Sequence, residues 1–395
     1  MAEVHERIMR RTAGRIKVGI LINTFNANAP ASAGGNLHYT EVAKRWPSFD
    51  LVVFGPEAAR AVVEEALPRA RFTAIPTLAL PQAYKQVENL MRSLSSALVI
   101  RALRRCDVLL ATSHFLPDVL PALFARGGRS AITLHHLLEA PGRRPGSFLP
   151  NAISYVFQAL AIRLARNRAA RFFVTDSELA TAAGLADDGR LVFITHGADH
   201  LAGEFDAAAA TRDRHRALFL GRLVPTKGVD DLIDAWAIVL RAMPNARLTI
   251  AGTGEEAYER RLRASAERLG IGNSIEFVGF VDDQARARLL STHDLFVFPS
   301  KEEGWGIAIA EAMHSGLPAV TYDLPAYRHV FTSGRRSVAT GDVAALASEI
   351  VRLYTDAPML EALSEDARRL GRTFTWDHAA QIERDAILAM MRSVV

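Results

Sequence analysis

Short apolar runs recur along the chain and alternate with segments of helical periodicity. The first run is 16–23, followed by a helical pattern over 38–46 and a second apolar run at 51–55. Further runs of the same kind lie at 107–112, 130–135, 171–175 and 191–195. These runs lack polar alternation, which is typical of parallel strands buried on both faces, with helices as the crossovers. The pattern predicts one doubly wound α/β domain over residues 1–198.

The same pattern restarts after a polar, alanine-rich segment that follows Gly197. Strands are predicted at 217–220, 247–251, 275–278, 295–299 and 319–322. They indicate a second doubly wound domain over 199–375, followed by an amphipathic helix over 376–395. The chain of 395 residues also exceeds what one core usually organises. The predicted fold class is therefore α/β, with two Rossmann-like parallel-sheet domains facing a cleft.

Composition indicates an ordinary globular chain. Hydrophobic residues make up 49% of it and charged residues 23%. We expect no apolar run to span a bilayer, and the N-terminus lacks the apolar core of a secretory signal, so an integral membrane protein is not expected. The single cysteine, Cys106, fits a reducing compartment. We therefore predict a cytoplasmic location.

Charge divides unevenly along the chain. Residues 1–200 hold 24 Lys or Arg and 16 Asp or Glu, whereas residues 201–395 hold 23 and 27. Two predicted helices of the first domain, 84–105 and 152–171, mix apolar residues with arginine. Such helices can lie on anionic lipid, although in a domain of this kind the apolar stripe is more often part of the core and the arginines are merely exposed. Peripheral contact with the inner face of the membrane stays an alternative, and nucleic acid is not an expected partner because no basic stretch carries stacking aromatics.

The segment 301–311, KEEGWGIAIAE, follows a predicted strand and contains two carboxylates eight residues apart. Its glycines interrupt the backbone before a helix that starts near Ile307, so Glu303 lies in a loop and Glu311 in the helix. In open α/β sheets ligands bind beyond the carboxyl ends of the strands, and a helix N-terminus offers amides to a phosphate or sugar oxygen. The alternative is an acidic turn that only stabilises its own helix.

A second strand-to-helix loop, in LFLGRLVPTKGVDDL, carries two cations. Arg222 and Lys227 lie between Gly221 and Gly228. Two cations in a glycine-bounded loop suit a diphosphate, since arginine gives a bidentate fork and lysine a point charge. A loop with ordinary solvated cations is the alternative.

In order along the chain, the segments GRLVPTKG, IAGTGEEA, VGFV and DLFVFPSKEEGWGIAIAEAMHSGLPAV resemble the retaining glycosyltransferases of family GT4, which have the GT-B fold. The resemblance covers most of residues 216–330. It implies that Glu311 binds the ribose of a nucleotide sugar and Glu303 the donor sugar. It also implies that Arg222 and Lys227 hold the diphosphate.

The resemblance implies further contacts from the backbone. Residues around Val281 would meet the base, and the amides of Gly306, Ile307 and Ala308 would meet the donor sugar and phosphate. In the first domain, ASAGGNLHYTEVAKRW is similar to the family's glycine loop, which assigns Gly34 and Gly35 to the donor site.

The segment AITLHH is similar to the family's strand-terminal histidine and nominates His135 beside the reacting centre. A hydrogen-bonded buried imidazole is the alternative for this residue. The chain departs from the family pattern at three positions, one next to His135 and two later in the chain. His136 occupies a place often held by Asp, His196 one often held by Asn, and Trp305 one more usually held by Phe.

The activity that the resemblance implies is transfer of a sugar from a nucleoside-diphosphate sugar to a hydroxyl acceptor, with retention by front-face displacement. The acceptor could be a glycan, a glycolipid or a small molecule. No D-x-D triplet occurs in the sequence, so metal-independent chemistry without a cofactor is expected.

Other interpretations remain open. A sugar-nucleotide epimerase of the same fold or a non-catalytic nucleotide-sugar-binding protein would share the donor site. The segment 252–257, GTGEEA, also fits a loose dinucleotide pattern, with Glu276 about twenty residues further on. His196 and His200 have the spacing of a helical metal pair, without a third ligand.

Overall fold

The computed structural model describes residues 15–25, 34–77, 80, 85–138, 140–142, 148–185, 187–201 and 214–392. Internal contacts divide the chain into two compact units. The first unit comprises Met1–Thr195 and Asp377–Val395, and the second comprises His196–Trp376. The sequence-based boundaries, 198/199 and 375/376, lie within three residues of these.

The first unit is built on a seven-stranded sheet in the order β3-β2-β1-β4-β5-β6-β7. Every neighbouring pair in it is parallel. Its strands are β1 (Lys17–Leu21), β2 (Asp50–Gly55), β3 (Arg71–Ala74), β4 (Val108–Ala111), β5 (Ser130–Leu134), β6 (Arg171–Val174) and β7 (Leu191–Phe193).

Helices connect these strands. They are α1 (Gly34–Lys44), α2 (Arg60–Ala66), α3 (Lys85–Ser95), α4 (Ile100–Leu103), α5 (Leu116–Arg126), α6 (Phe148–Arg166) and α7 (Ser177–Ala182). A short 3₁₀ helix, Ser96–Val99, joins α3 to α4. The C-terminal helix of the chain, Trp376–Arg392, is numbered α15 below and packs almost entirely with this unit.

The second unit repeats the design with six parallel strands in the order β10-β9-β8-β11-β12-β13. The strands are β8 (Arg216–Leu220), β9 (Arg247–Ala251), β10 (Ile275–Gly279), β11 (Leu295–Phe298), β12 (Ala319–Tyr322) and β13 (Arg335–Val338). The helices are α8 (Val229–Ala242), α9 (Glu256–Arg268), α10 (Asp283–Thr292), α11 (Ile307–His314), α12 (Pro325–Arg328), α13 (Val343–Thr355) and α14 (Ala357–Gly371).

The central strands show why the apolar runs predicted parallel sheets. All residues of β4, β5, β11 and β12 are buried, because helices cover both faces of each sheet. Each unit has its own apolar core. The prediction of two doubly wound parallel sheets is confirmed, but two strands were missed. These are β3 and β13, edge strands with no fully buried residue and hence no apolar run.

The chain reverses its direction of travel across each sheet at one place. In the first unit this is between β1 and β4, and in the second between β8 and β11. Loops that leave the carboxyl ends of these strand pairs border the crevice where ligands bind in open α/β sheets. The site is therefore sought there.

One expectation from composition needs correction. Helix α6, of 19 residues, is long and apolar enough to cross a membrane by length and composition alone. Its charged residues, Arg163 and Arg166, stand at its C-terminal end, so the preceding residues form an apolar stretch. A single helix of this kind is weak evidence for a span, because core helices of soluble proteins pass the same test.

Candidate active site

Two loops at the switch point of the second unit bring together residues that the sequence singled out. Lys227 precedes α8, and Glu303 lies between β11 and α11. The ammonium of Lys227 forms an ion pair with the Glu303 carboxylate, and both side chains are mostly buried. The Lys227 nitrogen also lies 5.4 Å from the centre of the Phe298 ring. A cation and a carboxylate 76 residues apart thus meet at the carboxyl edge of the sheet.

Backbone contacts hold these two loops against each other. The amide of Lys301 donates to the carbonyl of Thr226 at 2.8 Å. Gly228 has a φ of +68°, and a Cβ atom there would lie 2.0 Å from the carbonyl oxygen of Pro299. Only glycine fits such a left-handed and crowded position. The glycine of the motif therefore sets the distance between the Lys227 loop and the Glu303 loop.

Glu311 is buried in α11 and is already paired. One of its carboxylate oxygens lies 3.0 Å from Nη1 of Arg286, which comes from α10. Arg286 also pairs with Asp283 one turn earlier. Arg286 was not singled out from the sequence, since DQARARLL contains two arginines and resembles any surface helix. A buried carboxylate held by one arginine is oriented, and its charge is compensated.

The N-terminus of α11 lies directly after Glu303. Gly306 caps it in the left-handed region, with a φ of +106°. The amides of Ile309 and Ala310 donate to the Gly306 carbonyl at 3.0 and 3.2 Å. The amides of Ile307 and Ala308 come before these and have no partner within the helix, as at any helix N-terminus. The arrangement fits an anionic or hydroxyl ligand.

The remaining predicted donor residues of this unit lie at the ends of neighbouring strands. Arg222 is exposed in the loop after β8, five residues before Lys227. Lys227 itself ends the short 3₁₀ helix Pro225–Lys227. Val281 is partly buried just beyond β10 and packs against the core of the unit. The structure gives no direct contact between these two side chains and the Lys227–Glu303 pair.

The glycines of GTGEEA have a structural explanation. A Cβ atom at Gly252 would lie 1.8 Å from the Gly221 carbonyl, and one at Gly254 would lie 1.9 Å from the Leu223 carbonyl. The amide of Leu223 in turn donates to Thr253 at 2.9 Å. These glycines let the loop after β9 pack on the loop after β8. Their position away from the switch point does not favour the dinucleotide interpretation.

Trp305 and His196 form one aromatic cluster. Their rings stack at 4.8 Å between centroids, and Trp305 also meets Phe331 and Phe374 edge-on. His196 begins the second unit and Phe374 lies near its end. Trp305 therefore packs on the segments where the chain enters and leaves the second unit. Within the part of the chain that the structure describes, no three His, Cys, Asp or Glu side chains group as a metal site.

In the first unit, His135 follows β5 and its Nε2 donates to the carbonyl of Thr112, which follows β4, at 3.1 Å. Its ring also lies edge-on to His38 at 5.9 Å. Burial, and then the neighbouring imidazoles of His38, His136 and His114, lowers the pKa of His135 to about 3. The ring is therefore neutral at pH 7. A neutral ring that donates through Nε2 carries a lone pair on Nδ1.

The other histidines of this cluster were missed or given no role from sequence. His114 is buried and donates to Gln158 at 2.9 Å, and burial, followed by His136, lowers its pKa to about 3. His136, the position where relatives often have Asp, meets the His114 ring edge-on. His38 pairs at 2.6 Å with Glu383 of the C-terminal helix α15. No local motif indicates this cluster, because its members come from helix α1, from the ends of β4 and β5 and from the C-terminal helix α15.

A buried carboxylate organises the switch point of the first unit. Asp118 accepts from the amide of Asn23 at 2.6 Å and from the hydroxyls of Thr24 and Ser113 at 2.8 and 2.5 Å. Burial raises its pKa to about 6. Gly34 and Gly35 begin α1, which follows the β1 loop. Most of the segment that precedes them lies outside the described residues.

Known proteins share this sequence pattern and this fold. The sequence profile of the family described as glycosyl transferases group 1 matches residues 204–370. The matched residues make up most of the second unit. The predicted resemblance to group 1 glycosyltransferases, which rests on four segments of residues 216–330, is thereby confirmed.

Two relatives are similar at the level of sequence. A phosphatidyl-myo-inositol mannosyltransferase of Mycobacterium leprae is 34% identical over 47% of this chain and 50% of its own length. The chain thus spans about half the length of that relative. A glycogen synthase of Mycobacterium tuberculosis is 28% identical over 74% of each chain.

A solved structure extends the likeness to the whole fold. The structure of HepE from Anabaena in complex with UDP and glucose has a TM-score of 0.72 and 18% identity, covering 94% of this chain and 99% of that one. At this identity the comparison speaks for the fold alone. It confirms the predicted GT-B fold.

Proposed function

We propose that this protein transfers a glycosyl group from a nucleoside-diphosphate sugar to a hydroxyl group of an acceptor, with retention and without a metal ion. The observation that carries the proposal is the Lys227–Glu303 pair at the switch point of the second unit, directly before the N-terminus of α11. A cation, a carboxylate and free helix amides are the groups that bind a diphosphate and a sugar hydroxyl side by side.

The chemistry assigns a role to each side chain. The bond between the anomeric carbon and the diphosphate oxygen breaks, and its electron pair stays on the diphosphate. Lys227 and Arg222 stabilise that charge, together with the amides of Ile307 and Ala308. The acceptor oxygen bonds to the anomeric carbon on the same face, and its proton passes to the departing phosphate oxygen.

The carboxylates position the donor. Glu303 would exchange part of its contact with Lys227 for a sugar hydroxyl, since Lys227 turns to phosphate. Glu311, held by Arg286, has its charge compensated and its orientation fixed, which suits a hydrogen bond to the ribose. We assign the neutral imidazole of His135 to a hydroxyl of the reacting sugar, because an uncharged ring can accept a hydrogen bond without repelling an oxocarbenium-like centre.

Relatives support the class of reaction. The mycobacterial relative is named for mannosyl transfer to a phosphoinositide and HepE is described with UDP and glucose. Metal independence rests on the absence of a D-x-D triplet from the sequence and on the two cations of the Lys227 loop. A cytoplasmic location, which would give access to nucleotide sugars, is part of the same proposal.

The test is thermal stabilisation of the full chain by UDP, GDP, ADP and dTDP in the presence of a chelator. A nucleotide at a hundred times its dissociation constant stabilises by about 2.7 kcal/mol. We expect one nucleotide to raise the Tm of the wild type, and Lys227→Met and Glu311→Gln to abolish the rise. Lys44→Met, a lysine on α1 of the first unit, is the matched control and should keep it.

Product analysis then separates the candidate activities. The nucleotide that binds selects the donor, and transfer to an added acceptor with release of that nucleotide supports the proposal. A changed sugar nucleotide without an acceptor product would indicate an epimerase. If no nucleotide shifts the wild type, the donor site assigned to the second unit is wrong.

A further inference from the structure

Helix α3 of the first unit has its polar and apolar faces reversed. Its inward side chains are polar, with Glu88 and Arg92 only 3% and 7% exposed. Its outward side chains are apolar, and Leu94 and the following Leu98 are 66% and 74% exposed. A surface helix of a soluble protein shows the opposite arrangement. The reversal leaves an apolar stripe in contact with the surroundings.

Buried hydrogen bonds fix this orientation of α3. Arg92 pairs with Glu88 and donates to the carbonyls of Asn23 and Phe25, each at 2.8 Å. These carbonyls belong to the loop after β1. Turning the helix over would bury the leucines and leave a charged pair without these partners. The exposed stripe therefore belongs to the folded unit.

Helix α6 carries a second stripe of the same kind. Leu149 and Val156 are 68% and 59% exposed, and Leu160 follows one turn later. Gln86 at the start of α3 donates to Ser154 of α6 at 3.1 Å, so the N-terminal parts of the two helices lie side by side. We call the two stripes together the apolar face. Its exposed side chains are Val87, Leu90, Leu94, Leu98, Phe148, Leu149, Tyr155, Val156 and Leu160.

Strand order places both helices on one side of the sheet. The crossovers from β3 to β4, from β4 to β5 and from β5 to β6 all run in the same direction across the sheet. Right-handed crossovers then put α3, α5 and α6 on the same side. Helix α5 packs against both of the others. The two stripes are thus neighbours and share one surface.

Arginines border the apolar face. The helical segment that starts with α3 continues into Arg101, Arg104 and Arg105, all exposed. The stripe on α6 ends in Arg163, Arg166 and Arg168, also exposed. Residues 85–105 contain one acidic residue, the buried Glu88, and residues 148–168 contain none. The surface is therefore apolar at one end of each helix and cationic at the other.

We propose that the apolar face docks on an anionic lipid bilayer, with its leucines in the interfacial region and its arginines on the headgroup phosphates. Apolar residues bordered by cations without exposed acids are the chemistry that such a surface recognises. A second copy of the chain fits less well. It would bring arginines against arginines, with no exposed carboxylate in these segments to pair with them.

The helices lie on the membrane and do not cross it. Helix α6 connects β5 to β6, which are neighbouring strands of one sheet. Ala161, Ile162 and Ala165 on its inner side are buried against that sheet. Inserting the helix across a bilayer would tear the crossover from its sheet.

The position of the apolar face also indicates the class of acceptor, an inference that rests on the proposed function. Helices that follow parallel strands begin at the carboxyl edge of the sheet, where His135 also lies. The apolar ends of α3 and α6 are their N-terminal ends. A membrane bound there lies toward the edge that carries His135, so the acceptor class becomes a lipid whose headgroup presents a hydroxyl.

The experiment is co-sedimentation of the full chain with phosphatidylcholine vesicles and with vesicles that also contain phosphatidylglycerol. We expect binding to the anionic vesicles. The pair Arg101→Gln/Arg105→Gln should weaken it about thirtyfold, from about 1 kcal/mol per cation. The pair Leu94→Ser/Leu98→Ser should weaken it by roughly tenfold or more. The matched control, Arg260→Gln/Leu269→Ser at exposed positions of the second unit, should bind like the wild type.

The outcomes distinguish a bilayer from a second copy of the chain as the partner of the apolar face. They also distinguish failure of the docking proposal from failure of the proposed function. Absence of binding to anionic vesicles, or binding that the variants leave unchanged, would overturn the docking proposal. A wild-type dimer in light scattering that Leu94→Ser/Leu98→Ser converts to monomers would assign the face to a second copy. Nucleotide stabilisation is measured separately on the same samples, so vesicle binding without it would contradict only the proposed function.

Discussion

The two units have the same fold but carry different side chains at the carboxyl ends of their strands. In the second unit the switch point holds charged pairs, Lys227 with Glu303 and, deeper, Arg286 with Glu311. In the first unit the corresponding edge holds the imidazoles of His135 and His114, whose pKa values burial lowers to about 3, and a buried Asp118 whose pKa is raised to about 6. Fixed charges suit a nucleotide diphosphate, whereas neutral polar groups suit hydroxyls and a cationic sugar-like centre. The difference indicates a division of labour between the units.

The largest expected effect comes from removing the cation of the second unit. Lys227→Met should lower kcat by about a hundredfold to a thousandfold, the usual loss when one group that stabilises developing charge is removed. The free energy of unfolding should also fall, because Lys227→Met leaves the mostly buried carboxylate of Glu303 without its cation. Steady-state kinetics and urea unfolding of the same preparation check both statements.

The matched change in the first unit is His135→Gln, which keeps a polar side chain without an imidazole. We expect a smaller loss of kcat than for Lys227→Met, because a neutral hydrogen bond contributes less than a charge on the leaving diphosphate. If His135→Gln were the more damaging change, the division of labour between the units would be wrong.

The second effect tests whether Glu311 serves stability or binding. Glu311→Leu alone removes the buried one of the two carboxylates that pair with Arg286 and should destabilise the second unit by roughly 3 kcal/mol. The double variant Glu311→Leu/Arg286→Met replaces the pair with apolar groups and should recover most of that loss. Nucleotide binding should stay absent in both. Urea unfolding and the nucleotide Tm shift are the two measurements.

Recovery of nucleotide binding in the double variant would show that Glu311 acts only through folding. Arg286→Met alone is the companion control. It should destabilise as well, because it removes the arginine that pairs with the buried carboxylate of Glu311.

The same contrast explains what the sequence could predict. Lys227, Glu303 and Gly228 lie within two short loops whose glycines and charges stand out against apolar strands, so pattern alone located them. Arg286, His38 and Glu383 come from separate elements and meet only after folding. The orientation of α3 was equally hidden, because its apolar and polar positions fit either a core helix or a membrane-facing one. Which of its faces turns inward depends on the carbonyls of Asn23 and Phe25.

The third effect concerns the spacing of the two charged loops. Gly228→Ala combines a left-handed backbone, costing about 1–2 kcal/mol, with a clash against the Pro299 carbonyl. Gly341→Ala is the matched control, since Gly341 has a φ of +83° with open space around it. We expect Gly228→Ala to destabilise more than Gly341→Ala in urea unfolding, and only Gly228→Ala to weaken nucleotide binding. Equal losses would mean that backbone strain alone makes the glycine necessary.

The smallest expected effect is a change in how the free energy of unfolding of the first unit depends on pH. The pKa of His114 is lowered to about 3 in the folded chain, against about 6.5 when unfolded. Between these values the unfolded state binds the extra proton, so stability falls as pH falls, by about 1.4 kcal/mol per pH unit for this group. Asp118 acts in the opposite direction below its pKa of about 6, because its folded carboxyl binds the proton first.

Comparing His114→Gln with the wild type separates the contribution of the His114 imidazole from that of the Asp118 carboxyl. His114→Gln keeps a hydrogen-bonding side chain beside Gln158 and cannot titrate, so its stability should fall less steeply than that of the wild type between pH 6 and pH 4. Hydrogen exchange of the β4 and β5 amides confines the measurement to the first unit. Parallel pH profiles for the two proteins would mean that His114 is charged in the folded state. The contrast between neutral imidazoles in the first unit and charged pairs in the second would then rest on His135 alone.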